Sequence, residues 1–400
     1  MLLNSGALGR GCAPSGASTG RHEAWELRDR DPAQYEGLGV SQAVAHVDNE
    51  INSALKGLDA SDQALVDTTL RRLDGTDNLA RLGANATLPV SLAVCRAAAL
   101  AQRRPLHRQI QSLFKGREPC MPMPMVNILS GGAHAGRGMD LQDFLLVPLG
   151  AGTFNEAFAW ALRVRAAAAA LMKAEGLSTL LADEGGLSPG YATAEQALDL
   201  MVRAIENVGL RPGTDAAIAI DVAASELYSA GTYRLEREGL NLNGAQMADR
   251  IASLVASYPI LSVEDALDQD DWLSWRRFTV AAQDIQVVGD DLFVTNADRI
   301  RRGAAERVAN AALIKINQNG TLTGTLQAMS TAWSLGYETI VSARSGETED
   351  TFIADLAVGT GAGQIKIGSV RTSERMAKYN QLLRIEDAAA SPLANPFGKT

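Results

Sequence analysis

A chain of 400 residues, 46% hydrophobic and 21% charged, has the make-up of a folded globular protein and excludes a disordered one. With 37 basic residues against 46 acidic ones the net charge is −9, which excludes the basic footprint that a nucleic-acid partner needs. Cys12, Cys95 and Cys120 lie far apart with no CxxC pair, so neither a disulfide framework nor a zinc site is predicted, and a cytoplasmic setting fits.

The length predicts two domains. The opening MLLNSGALGRGCAPSG lacks a basic stretch followed by a long apolar core, so no signal peptide is expected. It reads as a hairpin, with a turn at Asn4-Ser5-Gly6. From about Val40 to Gln111 apolar residues recur at helical spacing, broken at Asp74-Gly75 and at Arg81-Leu82-Gly83. This first unit, 1–115, is predicted to be a small α+β domain. The proline-punctuated GREPCMPMPM marks the boundary with a second unit, 116–400. No uncharged apolar run of membrane-spanning length is read, and the alanine tract Ala166–Ala170 is flanked by Arg163, Arg165 and Lys173, so no membrane partner is expected.

Beyond the boundary AAIAIDVAA, YPILSVEDAL, DIQVVGDDL, AALIKINQNG, TIVSARSGE and GQIKIGS alternate with amphipathic stretches. Such alternation predicts parallel strands joined by right-handed crossover helices. Each run is apolar up to one charged residue: Asp221, Glu264, Asp290, Lys315, Arg344 and Lys366, spaced 22 to 43 residues apart. An open sheet would scatter these six, whereas a closed (β/α)8 TIM-type barrel gathers the C-terminal strand ends at one mouth. The fold expected is therefore α/β, a barrel carrying an N-terminal cap.

Three carboxylates converging from successive strands would repel one another and bind a protonated or metallic cation, and an all-oxygen donor set favours Mg²⁺. The three cations that follow suit a substrate with several negative charges, such as a small phosphorylated carboxylic acid. Arg344 with Ser345 makes a phosphate clamp. Lys315, in an apolar strand and near other positive charge, is expected to have a lowered pKa and to act as a base; the alternative is a structural ion pair with one of the acids. Within LLADEGG, Asp183 and Glu184 precede a Gly-Gly turn, which places Glu184 to donate a proton to a leaving group.

With these residues in place, the chain resembles the enolase family along essentially its whole length. APSGASTG, LGANA, NILSGGAHA, ADEGG, IDVAASE, SVEDAL, VGDDLFVTN, LIKINQNGT, SARSGETED, GAGQIKIGS and ERMAKYNQLLRIE all follow the family's order. The resemblance implies a modified barrel with an N-terminal cap, two Mg²⁺ per active site and a homodimer. It makes Asp221, Glu264 and Asp290 the ligands of the tighter metal and Ser18 a ligand that closes over the second. It makes Lys315 the base that takes the proton α to the carboxylate and Glu184 the acid at the leaving hydroxyl. Gln142 then supports the site, His134 lies near the phosphate, Arg344 and Ser345 grip it, and Lys366 partners the substrate carboxylate.

The chain departs from the family pattern at three places. Ala343 replaces the histidine of SHRSG, Asp143 replaces the glutamate of QEF, and Ile367 replaces the threonine of KTG. A carboxylate shortened by one methylene is expected to lose its direct hydrogen bond near Glu184. Enolases also carry further strands before the hairpin seen here, so a misplaced start is expected. The implied activity is dehydration of 2-phosphoglycerate to phosphoenolpyruvate. The alternative, suggested by the three departures, is an enolase-like transferase of phosphonate metabolism, a carboxyphosphonoenolpyruvate synthase.

Overall fold

The computed structural model describes residues 1–17, 19–114, 116–389 and 391–398. Lys115, where the boundary was drawn, and Ser18, the expected second-metal ligand, fall outside the described residues.

Eight strands close into a barrel: β1 (Met123–Ser130), β2 (Asp143–Val147), β3 (Ala217–Asp221), β7 (Ile260–Glu264), β8 (Gln286–Gly289), β9 (Ala311–Ile314), β10 (Glu338–Ser342) and β11 (Gly363–Gly368). Between β3 and β7 a small antiparallel sheet, β4 (Tyr228–Ser229), β5 (Thr232–Leu235) and β6 (Leu240–Leu242), interrupts the alternation. The barrel order is β1-β11-β10-β9-β8-β7-β3-β2. One strand corrects the expected all-parallel pattern, because β2 runs antiparallel to both β1 and β3. The reason is the connection: residues 131–142 hold only a short 3-10 turn at Ala133–Ala135, too little for the helical crossover that a parallel return requires.

Met123, Met125, Leu145, Ala219, Leu313 and Ile340, alternate residues of their strands, fill the barrel interior. The outward faces pack on the surrounding helices, whose ends are capped. Thr193 and Asn243, for instance, each form a reciprocal capping box, with Gln196 and Gln246.

The first unit is helical: α1 (Gln63–Asp74), α2 (Ala84–Ala101) and α3 (Leu106–Leu113) follow a shorter helical stretch over 41–55. The predicted break at Asp74-Gly75 is the end of α1, where Gly75 takes the left-handed conformation at φ 74°. The expected hairpin is reduced to the bridge Leu2–Leu8 around a turn. Helix α2 is long and apolar enough to cross a membrane, a feature the sequence reading passed over, but 67% of it is buried inside the fold, as in a core helix.

The α1 and α2 helices dock on the loop after β9. Thr87 Oγ1 donates to the Gly320 carbonyl (2.9 Å), and the Leu322 N–H donates to Ser91 Oγ (3.0 Å). Asp67 accepts from both the N–H (2.8 Å) and the hydroxyl (2.6 Å) of Thr323, at the start of the helix Leu322–Ser334. Burial pushes this carboxyl above its ordinary range even so. Asp67→Ala would remove the acceptor of both partly buried Thr323 donors and should lower stability by about 2 kcal/mol in a urea titration.

Candidate active site

Register brings the acids together before any side-chain detail is considered. Asp143 of β2 pairs with Asp221 of β3, and Asp221 with Glu264 of β7, so three carboxylates stand abreast at one end of the barrel. Asp290 and Lys315 directly follow β8 and β9, Arg344 lies just past β10, and Lys366 projects from within β11 opposite Ser342. Asp221, Asp290, Lys315, Arg344 and Lys366 line one mouth with Glu184, His134 and Gln142, and Glu264 joins it through its ion pair with Lys366.

The cations neutralise the acids pairwise. Lys366 Nζ donates to Asp221 Oδ2 and to Glu264 Oε2, both at 2.7 Å. These two carboxylates raise the Lys366 pKa well above its ordinary value although burial alone would lower it. Glu264 is itself raised well above the carboxylate range, by burial first and then by Asp221, and its Oε1 is buried with no hydrogen-bond partner. Lys315 Nζ pairs with Asp290 Oδ2, and Gln318 Nε2 donates to Asp290 Oδ1 (2.8 Å). The predicted lowering of the Lys315 pKa is therefore corrected: burial is the largest influence and pushes it down, but the Asp290 and Glu264 carboxylates together turn the net direction up.

The phosphate clamp is held by the chain itself. Arg344 Nη1 donates to Glu23 Oε2 (2.8 Å) and to Asn317 Oδ1 (3.2 Å), while Ser345 Oγ accepts from the Ala17 N–H (2.7 Å). Ser15 and Gly346 exchange two backbone hydrogen bonds at 2.9 Å, which docks the N-terminal loop over the mouth. The pocket at this mouth encloses about 450 Å³ of empty space, part of it open to solvent.

On the opposite wall Asp143 Oδ1 accepts from Asn127 Nδ2 (2.5 Å) and Ser130 Oγ (3.0 Å), and Oδ2 has no partner. The shortened side chain thus makes no hydrogen bond to Glu184, as expected. Burial, then the charge of Glu184, push the Asp143 pKa up to about 6. Glu184 goes the other way: burial would raise it, but Arg375, His134, Lys366 and Lys315 together hold it below its ordinary value. His134 Nδ1 is 3.8 Å from Glu184 Oε1, and both ring nitrogens are buried without a hydrogen bond. Gly186 is required beneath this wall, since a Cβ there would fall 2.3 Å from Ser130 Oγ.

Gln142 Nε2 donates to Asp221 Oδ2 (3.1 Å), which fixes the carboxylate from the side. Ala343 is buried, lines the mouth and donates its N–H to the Lys366 carbonyl (2.9 Å). Sequence reasoning missed Glu23, Asp265 and Asp291. Asp265 accepts the N–H groups of Asp290 (2.9 Å) and Asp291 (2.8 Å), orienting the strand end that carries Asp290. Asp265 itself sits at φ 42°, in the left-handed region. For Asp265 and Asp291 the signal was present as a second acid directly after two of the proposed ligands, Glu264 and Asp290, in VED and GDD.

Two family models cover the chain: the enolase N-terminal domain over residues 1–110 and the enolase C-terminal TIM barrel domain over 118–395. The chain belongs to the enolase family. Enolases of Legionella pneumophila strains Corby and Paris are each 49% identical to it over 395 residues, covering 98% of this chain and 93% of theirs.

Proposed function

We propose that the chain works as an enolase, dehydrating 2-phosphoglycerate to phosphoenolpyruvate. The observation that carries this reading is the 49% identity to enolases over nearly the full length. It is supported by a mouth in which Lys315, Arg344 and Lys366 face Asp221, Glu264 and Asp290.

The donor set fits Mg²⁺. Asp221, Glu264 and Asp290 offer only oxygen, and the buried, unpartnered Oε1 of Glu264 is a lone acceptor awaiting a cation. Asp221, Glu264 and Asp290 would hold the first ion and Ser18 a second, each supplying positive charge to the carboxylate end of the substrate. Arg344 and Ser345 bind the phosphate once Glu23 and Ala17 release them, with His134 beside it, and Lys366 takes the substrate carboxylate.

Lys315 removes the C2 proton, and the C–H electron pair moves into the carboxylate as an enediolate. That pair then forms the C2–C3 double bond as the C3–O bond breaks. Glu184 delivers the proton that turns the departing hydroxide into water. Because Arg375, His134, Lys366 and Lys315 hold Glu184 below its ordinary value, it has to gain its proton with substrate bound before it acts as the acid. The two units of this reading are 1–115 and 116–400, and its setting is a homodimer in the cytoplasm, as the family resemblance implies.

The transferase reading drew on the departures at Ala343, Asp143 and Ile367, and the similarity to enolases favours the hydratase over it. The test is the ultraviolet absorbance of phosphoenolpyruvate formed from 2-phosphoglycerate with Mg²⁺. Turnover of about 10 per second or more is expected, and a value thousands of times lower would remove the reading. A chelator should abolish turnover while leaving the far-ultraviolet circular dichroism unchanged, because Lys315 and Lys366 neutralise the acids that the metal leaves.

A further inference from the structure

Two guanidinium groups are buried behind the catalytic wall: Arg165 is 4% exposed and Arg375 is fully buried. Taking such a charge out of water is costly, and a close carboxylate is the usual compensation. Here, among the described residues, their hydrogen bonds go to main-chain carbonyls and one hydroxyl. Arg165 Nη2 donates to the Gly185 carbonyl and its Nε to Ser369 Oγ, both at 3.1 Å. Arg375 Nη1 donates to the Ile367 carbonyl (2.9 Å) and Nη2 to the Ser345 carbonyl (2.7 Å). The nearest acid to Arg375 is Glu374, 3.5 Å from Nε. Burial, with Arg371 nearby, lowers the Arg165 pKa to about 10, which shows how little counter-charge it has.

Both side chains converge on the main chain around Glu184. The Glu184 carbonyl accepts the Ser369 N–H (2.9 Å), and Ser369 is the residue whose hydroxyl Arg165 holds. Gly368 lies between them at φ 103°, and a Cβ there would come within 3.1 Å of the Glu184 carbonyl and 3.2 Å of Arg375 Cδ. Among the described residues the Glu184 carboxylate has His134, at 3.8 Å, as its ion-pair neighbour within 4 Å, while Arg375 acts on it from farther off and holds the neighbouring main chain at Ile367.

We propose that Arg165 and Arg375 are positioning residues that clamp the Glu184 turn to the end of β11 and to the Ser345 loop. They fix the leaving-group acid relative to the phosphate grip. This inference rests on the enolase reading and deepens it. Neither arginine approaches Lys315, so loosening the clamp should slow loss of the C3 hydroxyl while sparing proton removal at C2.

The two steps can be read separately on the Mg²⁺-loaded enzyme. Phosphoenolpyruvate absorbance reports elimination. In deuterium oxide, C2 proton exchange of 2-phosphoglycerate, followed by proton NMR, reports abstraction and return by Lys315. In Arg375→Lys and Arg165→Lys, elimination should fall about 10- to 100-fold, the scale of an ångström-level misplacement. Exchange should stay within about threefold of wild type, so the ratio of exchange to elimination rises at least several-fold. A merely structural role would lower both rates together, and that result, or an unchanged ratio in whichever variant folds, overturns the proposal. Absence of dehydration by the wild type would instead remove the underlying reading.

Discussion

Lys315→Ala is expected to lower dehydration of 2-phosphoglycerate by about 10³- to 10⁴-fold, the range associated with a positioned general base, and to abolish exchange at C2. The backbone presents this lysine deliberately: its N–H donates to Thr295 Oγ1 (2.9 Å), which in turn donates to Gln318 Oε1 (2.7 Å). A structural alternative exists, because Lys315 also pairs with Asp290. Lys315→Arg separates the two. A guanidinium keeps the ion pair but stays protonated at any working pH. If the pair with Asp290 were the whole role, Lys315→Arg would remain active; if Lys315 is the base, it fails like the alanine variant. In either variant Gln318 still holds Asp290 Oδ1, so the fold should survive for the comparison. A Lys315→Arg enzyme with near wild-type turnover would dispose of the base assignment.

How much of this was legible in the sequence follows from what local pattern encodes. Asp221, Glu264, Asp290 and Lys315 each end or follow an apolar run, and the run fixes both the strand and the end at which the charge emerges. Because strand ends of a closed barrel share one mouth, spacing alone was enough to bring these residues together. Strand direction is a different matter. β2 has the same composition whichever way it runs, and only the missing crossover helix in 131–142 decides it.

The sign of the Lys315 shift was also beyond reach, since it turns on whether Asp290 lies at bonding distance, a tertiary fact. Glu23 was missed for a related reason. It belongs to an irregular N-terminal segment with no periodicity, and its partner Arg344 is 321 residues away. Arg375 lay inside a quoted motif, ERMAKYNQLLRIE, but nothing in that run of residues tells a buried arginine from an exposed one, and the structure has it fully buried. Shortening at Asp143 was read correctly as a lost contact with Glu184. Its replacement partners, Asn127 and Ser130, come from a neighbouring strand that no local pattern connects to it.

Lys366→Met should make folding depend on a divalent cation. Its ammonium bridges Asp221 and Glu264, neighbours in register that are both buried. Without it two buried carboxylates face each other with only the neutral donors of Gln142 and the Ala223 N–H on Asp221, among the described residues, and breaking a buried pair from one side costs about 3–5 kcal/mol. In chelator the variant should therefore melt well below wild type. Saturating Mg²⁺ stabilises by mass action, about 2.7 kcal/mol at a hundred times Kd, and should recover a large part of the loss. The pH dependence has a definite sign. Glu264 already lies above the carboxylate range, and loss of Lys366, which pulls it down, raises it further. A carboxyl whose folded pKa exceeds its unfolded one destabilises the fold above the folded pKa, and the penalty fades as pH falls toward the unfolded value. The gap in melting temperature between chelated variant and chelated wild type should hence narrow from pH 8 to pH 5. A gap that is absent, or that Mg²⁺ leaves unchanged, would mean that the lysine does not stand in for the metal's charge between these two acids.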